Sequence, residues 1–160
     1  GQRSDWHLHG DLRDTWSALL PMGGAVSGVA GPNWVLVGDA AGCVNPLNGE
    51  GIDYGLETGR LAAELLAQRV PVDLAYLWPL TLRHHYGPAF SIARRLAGLL
   101  TVPGFLPKAG PVGMRSQFLM RIALRVMGNL ITPEDGDAVA RIWREAGRAS
   151  VRLDDRPPFS

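Results

Sequence analysis

The strongest fold signal in the chain lies at residues 34–52, which read WVLVGDAAGCVNPLNGEGI. The unbroken apolar run Trp34–Val37 predicts a strand that is covered on both faces of a sheet. Asp39 follows at the carboxyl end of that strand, where open α/β sheets bind their ligands. Gly49 and Gly51 allow a ligand close to the backbone and precede a helix whose N-terminus favours anionic or electron-rich oxygen. This order of strand, small-residue loop and helix is typical of a dinucleotide site.

The same residues resemble the second FAD-binding motif of a large flavoprotein group, in the form Gly-Asp-Ala-Ala-Gly…Pro-x-x-Gly-x-Gly-Ile. The resemblance extends upstream to LPMGG at residues 20–24 and downstream to YGLETGRLAA at residues 54–63. Within that group the chain is most similar to the geranylgeranyl reductase family, in particular its bacterial menaquinone-type prenyl reductases, from about Trp6 onward. Taken alone, Asp39 could be a turn or cap aspartate and the glycines turn residues. The coincidence of so many spacings favours FAD.

The resemblance implies a set of cofactor and substrate residues. Asp39 would accept a hydrogen bond from a ribityl hydroxyl, the N–H groups near Gly51 and Ile52 would face the flavin ring, and Pro46 would shape the loop beside it. The predicted FAD-binding residues are Gly38, Asp39, Pro46, Gly49, Glu50, Gly51 and Ile52, and the predicted substrate residues are Met22, Gly23 and Gly24. No catalytic residue and no metal site is assigned. Cys43 is the single cysteine, and its expected role is that of a small buried residue.

The implied activity is a FAD-dependent reduction of isolated C=C bonds in an isoprenoid chain, either a geranylgeranyl group or a menaquinone side chain. Two alternatives remain open. The first is a FAD-dependent aromatic hydroxylase, although Gly42 stands where that group commonly has histidine and Asp53 where it often has asparagine. The second is a non-catalytic helical module that associates with a membrane.

The chain of 160 residues contains no Gly-x-Gly-x-x-Gly fingerprint for the pyrophosphate, so we expect it to be the C-terminal portion of a longer enzyme. The predicted fold class is α/β, the C-terminal part of a Rossmann-like FAD-binding fold followed by a mostly α-helical lobe. The predicted divisions are residues 1–71 in the FAD-binding domain, 72–151 in the helical lobe and 152–160 in an extended or disordered tail. The single cysteine and the absence of a long apolar segment favour a cytoplasmic setting.

Periodicity predicts a series of secondary-structure elements. An edge strand is expected within Gln2–Gly10 and a short helix or strand within Leu12–Leu20, and a domain boundary is expected at Val70–Asp73. Helices are predicted at Ile52–Gln68, Asp73–His85, Pro88–Leu100, Val112–Leu130 and Pro133–Gly147, with Thr132 capping the last. On the first of these helices, an apolar stripe is expected to pack on the sheet, consisting of Ile52, Leu56, Gly59, Ala63 and Leu66.

The segment Leu74–Pro133 carries seven basic residues and no Asp or Glu, although the net charge of the chain is only +1. Together with its many apolar residues, this favours contact with an anionic membrane surface at the inner face of the membrane. The predicted contacts are Arg94, Arg95, Arg115, Arg121 and Arg125. A diphosphate site and an ordinary helical lobe remain open as alternatives. A nucleic-acid partner is not expected, because aromatic residues do not interleave with the arginines.

Overall fold

The computed structural model describes residues 17–68, 73–132 and 134–160. This part of the chain is mostly helical and contains a two-stranded antiparallel sheet. Its elements are β1 (Ala30–Gly31), β2 (Trp34–Val35), a 3-10 turn (Gly38–Ala41), α1 (Ile52–Leu66), α2 (Leu74–Leu100), α3 (Phe105–Arg115), α4 (Gln117–Met127) and α5 (Ala138–Val151). The helical lobe is therefore confirmed, whereas the described residues contain no parallel Rossmann sheet. The division into domains stays a prediction.

The predicted strand at Trp34–Val37 is shorter and more exposed than expected. Only Trp34–Val35 forms a strand, which pairs with Ala30–Gly31. The side chains of Trp34 and Val37 are 45% and 37% exposed. Helix α2 covers one side of the hairpin, where the Trp78 indole donates a hydrogen bond to the Leu36 carbonyl at 2.8 Å. No described element covers the other side, so the prediction of burial on both faces is wrong for this part of the chain.

Helix α1 begins at Ile52 as predicted and ends at Leu66, but the predicted face is not the buried one. Ile52 and Leu56 are 80% and 72% exposed. The buried face consists of Tyr54, Thr58, Leu61, Ala62 and Leu65. Apolar periodicity did not find this face, because Tyr54 and Thr58 are buried with their hydroxyl groups hydrogen-bonded.

Helix α2 is continuous, although two helices were predicted on either side of Pro88. Pro79 and Pro88 both lie inside it. A proline leaves the carbonyl four residues earlier without its donor. Here those carbonyls belong to Ala75 and His84, which are both exposed, so that solvent can satisfy them. The missing helical hydrogen bonds therefore do not break the helix.

The predicted helix Val112–Leu130 is two helices in the structure. Ser116 is extended (φ −108°, ψ 109°) and separates α3 from α4. Its hydroxyl accepts a hydrogen bond from the Leu119 N–H at 3.3 Å and caps α4. A serine with this role stops one helix and starts the next, a signal that the apolar pattern alone concealed.

Helix α5 begins five residues later than predicted, and Asp137 rather than Thr132 caps it. The Asp137 carboxylate accepts a hydrogen bond from the Ala140 N–H at 3.0 Å. The helix packs closely on α2, because a Cβ on Gly147 would lie only 2.7 Å from the Pro88 carbonyl oxygen. The predicted first-turn Pro133 lies outside the described residues.

The C-terminal tail is packed, and the prediction of an extended or disordered tail is wrong for its last residues. Phe159 is 1% exposed and its N–H donates a hydrogen bond to the Gly24 carbonyl at 2.8 Å. The Arg83 guanidinium donates two hydrogen bonds to the Phe159 carbonyl, at 3.0 and 2.8 Å. The Phe159 ring joins an aromatic cluster with Tyr86 and Phe90. The tail thus completes the core that α1 and α2 form.

Three other predictions cannot be compared with the structure. The edge strand within Gln2–Gly10 lies outside the described residues, as does most of Leu12–Leu20 and of the boundary at Val70–Asp73.

In the described part of the chain, no single helix is long and apolar enough to cross a membrane, although α2 and α3 pass that test together as a pair bent by 109°.

Candidate functional site

The loop that follows β2 is built on two left-handed glycines. Gly38, at φ 54°, is the first residue of the 3-10 turn, and Gly42, at φ 68°, directly follows the turn. The turn is closed by hydrogen bonds from the Gly42 N–H to the Asp39 carbonyl (2.9 Å) and from the Cys43 N–H to the Gly38 carbonyl (3.0 Å). Asp39 therefore lies inside this turn, four residues beyond the end of β2, and not directly at a strand end as predicted.

The Asp39 carboxylate lies against the first turn of α1. A Cβ built on Gly51 would be 2.7 Å from Asp39 Oδ1 and 3.3 Å from Val44 Cγ2. Only glycine therefore fits at residue 51 without displacing the carboxylate. Asp39 itself is exposed, and its carboxylate accepts no hydrogen bond from the described residues. A strong acceptor is thus held open beside the N-terminus of a helix.

The N-terminus of α1 also offers donors. Within the described residues, the N–H groups of Gly51 and Ile52 donate to no acceptor. The next N–H, that of Asp53, donates to Glu50 Oε1 at 2.8 Å. Glu50 Oε2 is buried without a partner in the described part of the chain. The helix dipole adds positive potential at the two open N–H groups, so the site can bind an electron-rich oxygen there and a hydroxyl at Asp39.

The residues between Asn45 and Glu50 form a closed loop. The Asn45 N–H donates to the Glu50 carbonyl at 2.8 Å, and the Gly49 N–H donates to the Asn45 carbonyl at 2.9 Å. Gly49 has φ 74° and therefore needs the conformational freedom of glycine. Pro46 faces Gly23, since its Cγ is 3.4 Å from the position of a Cβ on that glycine.

The predicted substrate residues lie next to the loop at residues 38–51, the FAD loop, which carries most of the predicted FAD-binding residues. The Gly23 N–H donates to the Val44 carbonyl and the Gly24 N–H to the Gly42 carbonyl, both at 2.8 Å. Met22 precedes them and is 41% exposed. The structure therefore brings both predicted sets together, while their roles toward FAD and substrate stay predictions.

Sequence reasoning missed Thr58, which joins the 3-10 turn to α1. Its hydroxyl accepts a hydrogen bond from the Gly38 N–H at 2.9 Å and donates one to the Tyr54 carbonyl at 2.6 Å. A Cβ on Gly38 would lie 3.2 Å from the Gly55 Cα, so the turn and the helix are in close contact. Thr58 is twenty residues from Gly38, and no local pattern indicates that contact.

Sequence reasoning also missed the connection between the loop and the end of α4. The Asn48 side chain donates to the Met127 carbonyl at 2.8 Å, and the Tyr54 hydroxyl donates to Asn129 Oδ1 at 3.0 Å. Burial raises the pKa of Tyr54 to about 12, so the phenol remains a donor at neutral pH. Asn129 has φ 54° and follows Gly128, a glycine–asparagine pair that is a recognisable helix-end signal.

Cys43 is fully buried at the base of the loop. Burial, together with the charges of Asp39 and Glu57, raises the pKa of its thiol to about 12. A thiol that stays protonated at neutral pH is a poor nucleophile. Cys43 therefore fills space beneath the loop, as expected from the sequence.

Comparison with known proteins adds a second line of evidence to the geometry of this loop and helix. Over 159 residues, 99% of this chain, the sequence is 65% identical to a menaquinone reductase from Mycolicibacterium smegmatis. The chain spans 39% of that relative's length and corresponds to its C-terminal part.

Two further relatives are similar over shorter stretches. A digeranylgeranylglycerophospholipid reductase from Methanosphaera stadtmanae is 44% identical over 50 residues, which are 31% of this chain and 13% of that protein. A flavin-dependent halogenase from Malbranchea aurantiaca is 40% identical over 53 residues, 29% of this chain and 8% of that protein. No family model and no solved structure matches the chain. The predicted resemblance to prenyl reductases of the geranylgeranyl reductase type is confirmed by these relatives.

Proposed function

We propose that this chain is the C-terminal part of a FAD-dependent oxidoreductase that reduces C=C bonds in an isoprenoid chain, with the menaquinone side chain as the favoured substrate. The observation that carries the proposal is the open carboxylate of Asp39 against Gly51, at the N-terminus of α1. The extensive similarity to a menaquinone reductase supports the substrate class. The names of the relatives do not favour the aromatic hydroxylase or the non-catalytic module.

The residues at the N-terminus of α1 fit FAD by their donor and acceptor chemistry. Asp39 would accept a hydrogen bond from a ribityl hydroxyl, because an ionised carboxylate has acceptors only. The N–H groups of Gly51 and Ile52 would donate to the electron-rich edge of the flavin ring, where the helix dipole favours negative charge. FAD, when bound, supplies hydride chemistry, and the protein supplies the orientation. The unpartnered Glu50 Oε2 has capacity for one further donor.

The loop at Met22–Gly24, which lies beside the FAD loop, would position the substrate. Met22 is exposed beside Gly23 and Gly24, whose N–H groups fix the loop against residues 42–44. An isolated C=C bond offers no charge to grip, so its reduction depends on alignment of an apolar chain and exclusion of water. A rigid, small-residue loop next to the flavin residues suits this task.

Mass spectrometry of the reaction product tests the proposed reaction. The full-length protein, reduced in the absence of oxygen and incubated with a polyprenyl menaquinone, should add two hydrogen atoms to the side chain for each bond reduced. Gain of one oxygen atom on an aromatic substrate under air would instead support the hydroxylase. An unchanged menaquinone side chain, in a preparation that retains reducible FAD, would contradict the proposal.

A further inference from the structure

Helices α3 and α4 present an apolar surface that no described element covers. Neither helix has a buried residue. Met114 and Phe118, on either side of the break at Ser116, are 70% and 67% exposed. The other large exposed apolar residues of the two helices are Leu106, Val112, Leu119, Leu124 and Met127. Such a surface on two adjoining helices is more than the scattered exposed residues of an ordinary surface.

Three of the five arginines that were predicted to contact a membrane form ion pairs within the protein. Arg94 and Arg95 both contact Asp154, at 3.2 and 2.9 Å. Arg125 contacts Asp135 at 3.1 Å and Asp137 at 2.7 Å. These three arginines were predicted as membrane contacts, but each already pairs with a carboxylate of this chain.

Of the seven basic residues in Leu74–Pro133, three have neither an ion pair nor a side-chain hydrogen bond in the described part of the chain; Arg83 also has no ion pair, but it donates to the Phe159 carbonyl. Lys108 and Arg115 lie on α3 and Arg121 lies on α4, and all three are exposed. Neither helix contains an acidic residue. The surface therefore combines apolar side chains with positive charges and no negative ones, which complements an anionic lipid surface.

We propose that α3 and α4 dock the full-length protein on an anionic membrane, with Lys108, Arg115 and Arg121 at the lipid headgroups. This proposal rests on the proposed function, because an isoprenoid lipid is the substrate that the docked protein would take up. Helices α3 and α4 would lie along the surface, because each has 11 residues and a helix that spans a bilayer needs about 20.

The far end of α4 is joined directly to the candidate flavin site. The Asn48 side chain of the FAD loop donates a hydrogen bond to the Met127 carbonyl at 2.8 Å, and the Tyr54 hydroxyl of α1 donates one to Asn129 Oδ1 at 3.0 Å. Docking through α3 and α4 would therefore bring the lipid surface to the element that contacts the FAD loop. Arg94 and Arg95, in contrast, are tied to the tail through Asp154.

Vesicle cosedimentation of the full-length, FAD-loaded protein tests the proposal. Each basic residue near an anionic membrane strengthens binding by about fivefold. Replacing Lys108, Arg115 and Arg121 with glutamine should therefore weaken binding to phosphatidylglycerol-containing vesicles by about a hundredfold. The charge-matched control replaces Arg141, Arg152 and Arg156 with glutamine, three exposed arginines outside the surface that also have no ion pair in the described residues, and should change binding by less than about threefold.

The proposal is overturned if the wild-type protein does not bind these vesicles, as expected if another part of the protein covers α3 and α4. It is also overturned if the two triple variants lose binding equally. Reduction of a short, soluble isoprenoid separates this proposal from the proposed reaction. Activity retained on that substrate with no vesicle binding would reject the docking surface alone. Vesicle binding lost only in the Lys108/Arg115/Arg121 variant, with no reduction of any isoprenoid, would support docking and reject the reaction.

Discussion

Replacing Phe159 with alanine should lower the free energy of unfolding by about 3–5 kcal/mol, the range for truncating a buried phenylalanine. The side chain is 1% exposed, and its ring centroid lies 5.9 Å from that of Phe90 and 6.5 Å from that of Tyr86. Truncation would leave a cavity among α2, the tail and the loop that contains Gly24. Denaturant unfolding of the full-length protein, followed by aromatic fluorescence, measures the change.

Leu153→Ala is the matched control for Phe159→Ala, because Leu153 lies in the same tail and is 72% exposed. Its replacement should change the free energy of unfolding by less than about 0.5 kcal/mol. Equal, small effects of both substitutions would show that the tail does not pack on the core.

Asp39→Ala should weaken FAD binding to the full-length protein by about 1.5–3 kcal/mol, the contribution of a hydrogen bond to a charged group. The carboxylate is exposed and has no partner among the described residues, so its removal leaves the fold intact and removes one acceptor. Titration of the FAD-free protein with FAD, followed by flavin fluorescence, gives the two dissociation constants.

Glu64→Ala is the control for Asp39→Ala, since it removes a carboxylate from the last turn of α1, at the opposite end of the helix. Glu64 pairs with Arg60 on the exposed side, and such surface pairs contribute at most about 0.5 kcal/mol to stability. FAD affinity should therefore be unchanged in this variant. A dissociation constant that Asp39→Ala leaves at the wild-type value would remove Asp39 from the site.

Local signals in the sequence predicted the start of α1 and the small-residue loop before it correctly. Gly51 begins the helix at Ile52, and Gly49 adopts the left-handed conformation that only glycine favours. These features depend on neighbouring residues, so they can be recognised in one short stretch. The buried face of α1 could not be recognised in that way. It depends on partners for Tyr54 and Thr58 that are distant in the sequence, such as Asn129.

Tertiary contacts also explain the errors in the helical lobe and the tail. Helix α2 continues through Pro88, where α5 packs on it through Gly147 and where His84, the residue that loses its helical donor, is exposed. The position of Phe159 depends on Arg83 and Gly24, which are distant in the chain. Counting charges along the sequence likewise could not show that Arg94 pairs with Asp154.

Gly51→Ala tests the candidate flavin site, because it adds a single methyl group beside Asp39. The added Cβ would lie 2.7 Å from Asp39 Oδ1, so the carboxylate would have to shift from its position beside the N-terminus of α1. The control is Gly98→Ala on α2, where the added Cβ has no neighbour within 4 Å and alanine favours the helix by about 1 kcal/mol.

The decisive measurement is the FAD dissociation constant of the full-length protein and of these two variants. We expect tight binding by the wild-type protein and by Gly98→Ala, and binding weaker by at least about tenfold for Gly51→Ala, because the hydrogen bond to the charged carboxylate is lost. Equal affinity of all three proteins for FAD, or no binding by the wild-type protein, would contradict a flavin site at the N-terminus of α1.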